Sequence, residues 1–400
     1  LEQNTYNQCP VCSFPLTAES AVCPRCGNDI LEEISSLDQE SRDIHIRNIE
    51  EKKADWYSRS LTELLEPFPG ETCSCSRKAP ENENSRKDIP CGSESEVLRT
   101  ATRMTLLQDN GSRKKWWHAM TADWKEVIKS TLKIVREPSD QDLADFLETT
   151  HLRCDSRRIH DLLPVQVLEN LQQLRCDESP VEDLWPISRL GKLQRLYAFD
   201  CDFTSLEPLK DLVSLKLLWV SSTQIDSLEP LRNLVNLEEL YCSETLVDDL
   251  SALEKLVNLE KLSCYKTGIS SLEPLSKLEN LIELGINNTA VSDLTPLSGL
   301  VNLEYLRCSK SGIETLEPLR GLLGIRELSI AHTPLASIEP LEGLTDLEEL
   351  DISNTRVTSI EPIMHLQQLE KIELSLGLIS GTEIERFIEL HPDCTVQLIP

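Results

Sequence analysis

The chain has 400 residues, with 68 Asp+Glu against 40 Lys+Arg and a formal net charge of −28. That excess of acid argues against nucleic acid and against an anionic membrane surface as partners, because both rely on a basic footprint. No run of eighteen apolar residues occurs, so no membrane span is predicted, and fourteen cysteines are too sparse for a disulfide scaffold.

In chain order, LEQNTYNQCPVC lacks a basic start followed by an apolar block and does not read as a secretory signal. Within residues 1–30, CPVCSFPLTAESAVCPRC places Cys9 and Cys12 ten residues ahead of Cys23 and Cys26. Four thiolates in two C-x-x-C turns are the tetrahedral set of a closed, structural zinc site. The alternatives are a redox dithiol or two disulfides. The motif resembles the short bacterial zinc ribbon, although Ser13 stands where Gly often follows the first knuckle. A module this small cannot bury enough to fold alone, so zinc would supply its folding energy. Four protein ligands leave no open position for catalysis. Arg25 is the one basic residue inside the motif, so protein suits it as a partner better than nucleic acid.

Residues 31–65 are helical in composition. Residues 66–115 are rich in Pro, Ser, Glu, Asn and Lys and read as an unstructured tether. Cys73, Cys75 and Cys91 lie in it with a spacing that matches no common metal site. Residues 116–139 read as one amphipathic helix, with Trp117, Met120, Trp124, Val127, Ile128 and Ile134 along a face and Thr121 as a cap. It is either a lid packed on the segment that begins at Asp140 or a Trp-rich partner-binding helix.

From residue 140 to 381 one phrase recurs. Leu162, Leu184, Leu206, Leu228, Leu250, Leu272, Leu294, Leu316, Ile338 and Ile360 are spaced by 22 residues, and a degenerate copy opens at Asp140, giving eleven registers. A fixed period of this size marks a solenoid, in which each unit buries its apolar edge against its neighbours. Within the unit, L-x-x-L-x-x-L suits a helical turn begun by the Pro of LEPL, and the adjoining L-x-Φ (Φ apolar) alternates as a short strand. The phrase resembles the leucine-rich repeat, in its 22-residue internalin-like form. One departure is Thr at 223, 245, 267, 289, 333 and 355, where the family has Asn after the strand. The resemblance implies an α/β repeat solenoid with a parallel sheet on its concave side.

Strand alternation then separates inward from outward residues. Cys154, Cys176, Cys242, Cys264 and Cys308 take inward positions as small apolar residues; metal or redox chemistry between stacked thiols such as Cys242 and Cys264 is the alternative. Many buried free thiols favour a reducing, cytoplasmic location. Tyr197, Phe199, Trp219, Tyr241 and Tyr265 take outward positions close together, with Tyr305 further along and Arg175 and Arg195 at the rim. Clustered Tyr and Trp are what a protein interface concentrates. The plainer reading is that strands favour aromatics and that the rings cover one another.

Residues 382–400 break the phrase and read as a C-terminal cap: a helix with Ile384, Phe387 and Ile388, opened by Thr382, then a strand CTVQLI. No phosphate-binding Gly loop, H-E-x-x-H or G-x-S-x-G is present, and His332 is the one loop histidine facing the outward surface. The expectation is a monomeric, non-enzymatic adaptor that captures a protein or peptide on the concave face and carries a structural zinc ribbon. The alternatives are a regulatory subunit of an enzyme on another chain and a secreted internalin-like adhesin.

Overall fold

The computed structural model describes residue 101 and residues 103–399. The four-cysteine motif, residues 31–65 and Cys73, Cys75 and Cys91 lie outside the described residues. The described residues build one parallel sheet of twelve strands in chain order. The strands are β1 His151–Arg153, β2 Gln173–Arg175, β3 Arg195–Tyr197, β4 Leu217–Trp219, β5 Glu239–Tyr241, β6 Lys261–Ser263, β7 Glu283–Gly285, β8 Tyr305–Arg307, β9 Glu327–Ser329, β10 Glu349–Asp351, β11 Lys371–Ser375 and β12 Thr395–Ile399. From β1 to β11 every residue pairs with the one 22 positions on, as in Leu196 with Leu218 and Leu218 with Leu240.

From β1 to β11 each return passes through a 3-10 turn such as Glu207–Leu209 or Glu229–Leu231, with Pro in the first positions of all but Ser251–Leu253. The sequence dictates that form. Leu206, Leu209, Leu212 and Leu215 recur every three residues, which matches the three residues per turn of a 3-10 helix and would drift around an α-helix. All four are buried, as is the second residue of every strand from Leu152 to Ile372, none more than 2% exposed. Dense aliphatic packing of this kind supplies most of the stabilisation of a solenoid.

Two hydrogen-bond ladders hold the coils in phase, and a third, local to each coil, closes the turn after the strand. After each of the first ten strands one non-glycine residue is left-handed, from Ser156 through Asp200, Glu244 and Lys310 to Asn354, with φ between 51° and 57°. The cost of that conformation is offset across the coil boundary: the N–H of Asp200 donates to the Ser221 carbonyl at 3.0 Å, and that of Glu244 to Tyr265 at 2.9 Å. The next residue in most coils is the unexpected Thr. Its hydroxyl donates back three residues, as Thr223 to Val220 (2.7 Å), Thr245 to Cys242 (2.7 Å) and Thr289 to Ile286 (2.8 Å). On the other edge Asn236, Asn258, Asn280 and Asn302 each donate to a carbonyl of the preceding coil at 2.8 Å.

Both ends differ from expectation. The expected helix over 116–139 is two: α2 Asn110–Ala119 and α3 Ala122–Thr131, preceded by α1 Arg103–Gln108. Met120 is extended, Thr121 caps α3 by accepting from Trp124 N, and Lys133 at φ 54° ends it, so Ile134 lies beyond the helix. The break lets the indoles serve separate partners. Trp116 packs against Phe146 at 6.2 Å, while Trp117 Nε1 donates to Glu137 and Trp124 Nε1 to the Asp161 carbonyl.

Residues 103–115, expected in the tether, are helical. Leu106 is buried, Asp109 caps α2, and the Arg113 guanidinium donates to the Leu106 carbonyl at 2.6 Å and to Asp140 at 2.8 Å. Composition hid these anchors among polar neighbours. Ser139 opens α4 Asp140–Phe146 with a capping box, as its sequence implies. At the far end Ser380, not Thr382, caps α5 Gly381–Leu390, because its hydroxyl reaches Glu383 N. The Glu383 carboxylate in turn accepts from Ile360 N at 2.6 Å, tying the helix to the last repeat. β12 then pairs with β11 over five residues.

Thr245→Val deletes the donor to the buried Cys242 carbonyl and is expected to cost about 1 kcal/mol. Leu262→Ala opens a cavity between coils and should cost about 2–5 kcal/mol. Urea midpoints of the two variants against the wild type check the order and the size.

Candidate protein-binding face

Because the strands stack in register, the third residue of each falls into one outward row: Arg175, Tyr197, Trp219, Tyr241, Ser263, Gly285, Arg307. Trp219 is the hub. Its ring lies 4.8 Å from Phe199, 5.2 Å from Tyr241 and 6.4 Å from Tyr197, all tilted by 36° to 52°. Tilted, offset rings at these separations are mutually attractive. Tyr197, Trp219 and Tyr241 remain half-buried, while the leucines beneath them are fully buried. The rings therefore cover one another in part and still leave one side of the cluster open.

The Arg175 guanidinium lies over Tyr197 at 5.0 Å, within cation–π range. It also makes a two-pronged pair with Asp177 at 3.1 Å, and Arg153 does the same with Asp155 one coil earlier. Burial lifts the Asp177 carboxyl above its usual range while Arg175 pulls the other way. The signal for both pairs was R-x-D, two residues apart on one strand face. On the other flank the Tyr241 hydroxyl donates to Glu239 at 2.7 Å. Burial, then that carboxylate, pushes the phenol far above its normal range.

Tyr265 sits one strand beyond Tyr241 and two residues along, its N–H on the Ser243 hydroxyl at 3.2 Å. Burial raises its phenol to about 12, with Glu244 adding to the shift. Tyr305 stands apart, three strands from Tyr241, paired in register with Glu283 and Glu327. Arg195 is exposed at the start of β3. The structure thus brings together Arg175, Tyr197, Phe199, Trp219 and Tyr241, sets Tyr265 and Arg195 at their margin, and leaves Tyr305 outside. Next to Tyr305, Arg307 bridges Glu283 (2.7 Å) and Glu327 (2.6 Å), a clamp across three strands that sequence reading did not pair.

Cys154, Cys176, Cys242, Cys264 and Cys308 are buried free thiols, joined by Cys201, whose Sγ lies 3.3 Å from the Cys176 carbonyl. Burial pushes the Cys242 thiol up to about 12, which disfavours the reactive thiolate. His332 is left-handed at φ 57°, and burial, then Lys310, lowers its pKa.

A parallel sheet built from a 22-residue coil with these leucine positions is that of a repeat solenoid. The family model of leucine-rich repeats in two copies matches residues 235–277 and 324–363. Among solved structures, an internalin, InlF, of Listeria monocytogenes is similar at 23% identity and a TM-score of 0.59, over 70% of this chain and 90% of that one. A TDR receptor is similar at 19% identity and a TM-score of 0.56, over 64% of this chain and 48% of that one. Both likenesses concern the fold. No curated protein matches the chain. No helix among the described residues is long and apolar enough to cross a membrane.

In a spectrophotometric titration one phenol is expected to ionise near pH 12 and to vanish from the curve in Tyr265→Phe. Its folded value lies above the ordinary one near 10, so the stability it contributes is complete below pH 10 and is lost as pH rises from there through about 12. Alkaline unfolding of the wild type and Tyr265→Phe should diverge in that window.

Proposed function

We propose that this chain is a non-enzymatic protein-binding scaffold that captures a protein or peptide on the open face of its sheet, the concave face in leucine-rich repeats. The observation that carries the reading is the partly open cluster of Tyr197, Phe199, Trp219 and Tyr241. Large rings with few rotatable bonds give contact area at low entropic cost and concentrate binding energy. Eleven strands at roughly 4.8 Å span on the order of 50 Å, the scale of a protein or peptide rather than a metabolite. Arg175 and Arg195 supply a polar margin, with Tyr265 beside the cluster and Tyr305 as an outlying contact. Leucine-rich-repeat proteins of the internalin and receptor kinds are generally protein-binding scaffolds, which supports the reading.

A partner recovered by affinity capture with the wild-type chain should bind the Tyr197→Ala/Trp219→Ala/Tyr241→Ala variant at least about tenfold more weakly, since a few central aromatics carry most of an interface. Equal recovery by both proteins places the interface elsewhere.

The N-terminal motif is the second part of the proposal. Cys9, Cys12, Cys23 and Cys26 hold a structural zinc in a ribbon that acts as a separate interaction module. Metal analysis of the full chain should find about one equivalent of zinc, lost in Cys9→Ser/Cys12→Ser. The six buried free thiols among the described residues support a cytoplasmic location, and the repeat domain is proposed to be monomeric.

A further inference from the structure

The outward row steps down immediately after its largest residues. Past Trp219 and Tyr241 come Ser263 and Gly285, and only then Arg307. Ser263 is held low by a 2.9 Å hydrogen bond to Ser243, and a Cβ at Gly285 would lie 3.3 Å from the Ser263 hydroxyl. The step is therefore floored by small residues packed against each other, with the Tyr241 ring as one wall. Carboxylates border it. Glu239 and Glu283 stand on the strands to either side of Lys261, and both act on the Tyr241 phenol. Neither carboxylate makes an ion pair with Lys261 among the described residues; Glu283 gives one oxygen to Arg307 and Glu239 accepts from Tyr241. Each keeps acceptor capacity.

The same face already contains an internal version of the contact such a place can make. Arg175 lies over the Tyr197 ring and is closed by Asp177. Two strands further on, Tyr241 is the ring and Glu239 the carboxylate, and among the described residues no cation lies over either Trp219 or Tyr241. Charge favours the same occupant. From β5 to β11 the first and third strand residues include six carboxylates against three Lys or Arg. The opposite margin carries the exposed Arg195, which repels a second cation and orients the ligand's basic part toward β5–β7.

We propose that the occupant of this face is a basic segment of a partner protein, with an arginine lying across Trp219 and Tyr241, its guanidinium paired with Glu239 and Glu283, and its flanking chain passing over the Ser263–Gly285 step. This rests on the docking face proposed above and names the chemistry that the face selects. Guanidinium suits the place better than ammonium because it stacks on rings and pairs with two carboxylates in a plane.

The test is a random dodecapeptide display library panned on the full chain, with counter-selection on Trp219→Ala so that only ring-dependent binders are scored. These binders are expected to carry Arg or Lys about threefold above the input library. The affinity of a synthesised binder should fall about tenfold with Glu239→Gln and rise about threefold with Lys261→Gln, which removes the competing cation. The gain in Lys261→Gln is a readout that a damaged surface does not mimic. Neutral or acidic Trp219-dependent peptides, or weaker binding by Lys261→Gln, overturn the basic ligand and leave the docking face standing. If no Trp219-dependent peptide is enriched, both are overturned.

Discussion

The phase of the coils is the constraint on which everything else depends. Each strand offers its N–H and C=O groups to the strand 22 residues on, and the pairing runs without a slip from β1 to β11. A single inserted residue would rotate the next coil and expose its inward leucines. The left-handed residue after each strand is the local cost of closing a coil in 22 residues. It is tolerated at serine, glutamate, lysine and histidine alike because the next coil accepts its N–H. The Thr and Asn ladders on the two edges then satisfy the carbonyls that a turn would otherwise bury without a partner.

A stack held this way has two open ends, and both are covered by helices with hydrogen bonds that reach into the terminal repeats. At one end Arg113 joins α1, α2 and α4 through two backbone carbonyls and Asp140. At the other Glu383 accepts from the backbone of the last repeat, and Phe387 stacks on His391, whose ring reaches the Leu366 carbonyl. An uncovered end would leave a layer of leucine side chains and a sheet edge in water, the condition that capping units in solenoids prevent.

With the core made uniform by the repeat, individuality is confined to the outward strand positions, and the face divides accordingly. Its first strands carry internally paired Arg–Asp couples, its middle carries the ring cluster, and the strands beyond carry small residues and carboxylates bridged by Arg307. Internal pairing lowers the energy available to a ligand at the first strands, because those charges already have partners. The rings pack chiefly on each other and remain partly open, so the middle is where a partner gains most.

The periodicity of the leucines determined by itself that this chain coils, how long each coil is, and which strand residues point outward, because alternation and a 22-residue repeat leave one arrangement that buries the recurring leucines. Whether Trp219 meets three rings or Tyr305 none among the described residues, whether Arg175 serves Tyr197 and Asp177, and that Asn236 and its successors clip coil to coil were decided by tertiary structure. Most of those contacts join residues 20 or more positions apart, at angles that depend on strand twist and rotamer. The break at Met120 and the helices of 103–115 belong with them: polar composition concealed Leu106 and Arg113, whose burial comes from the elements packed against them and not from their own neighbours in the chain.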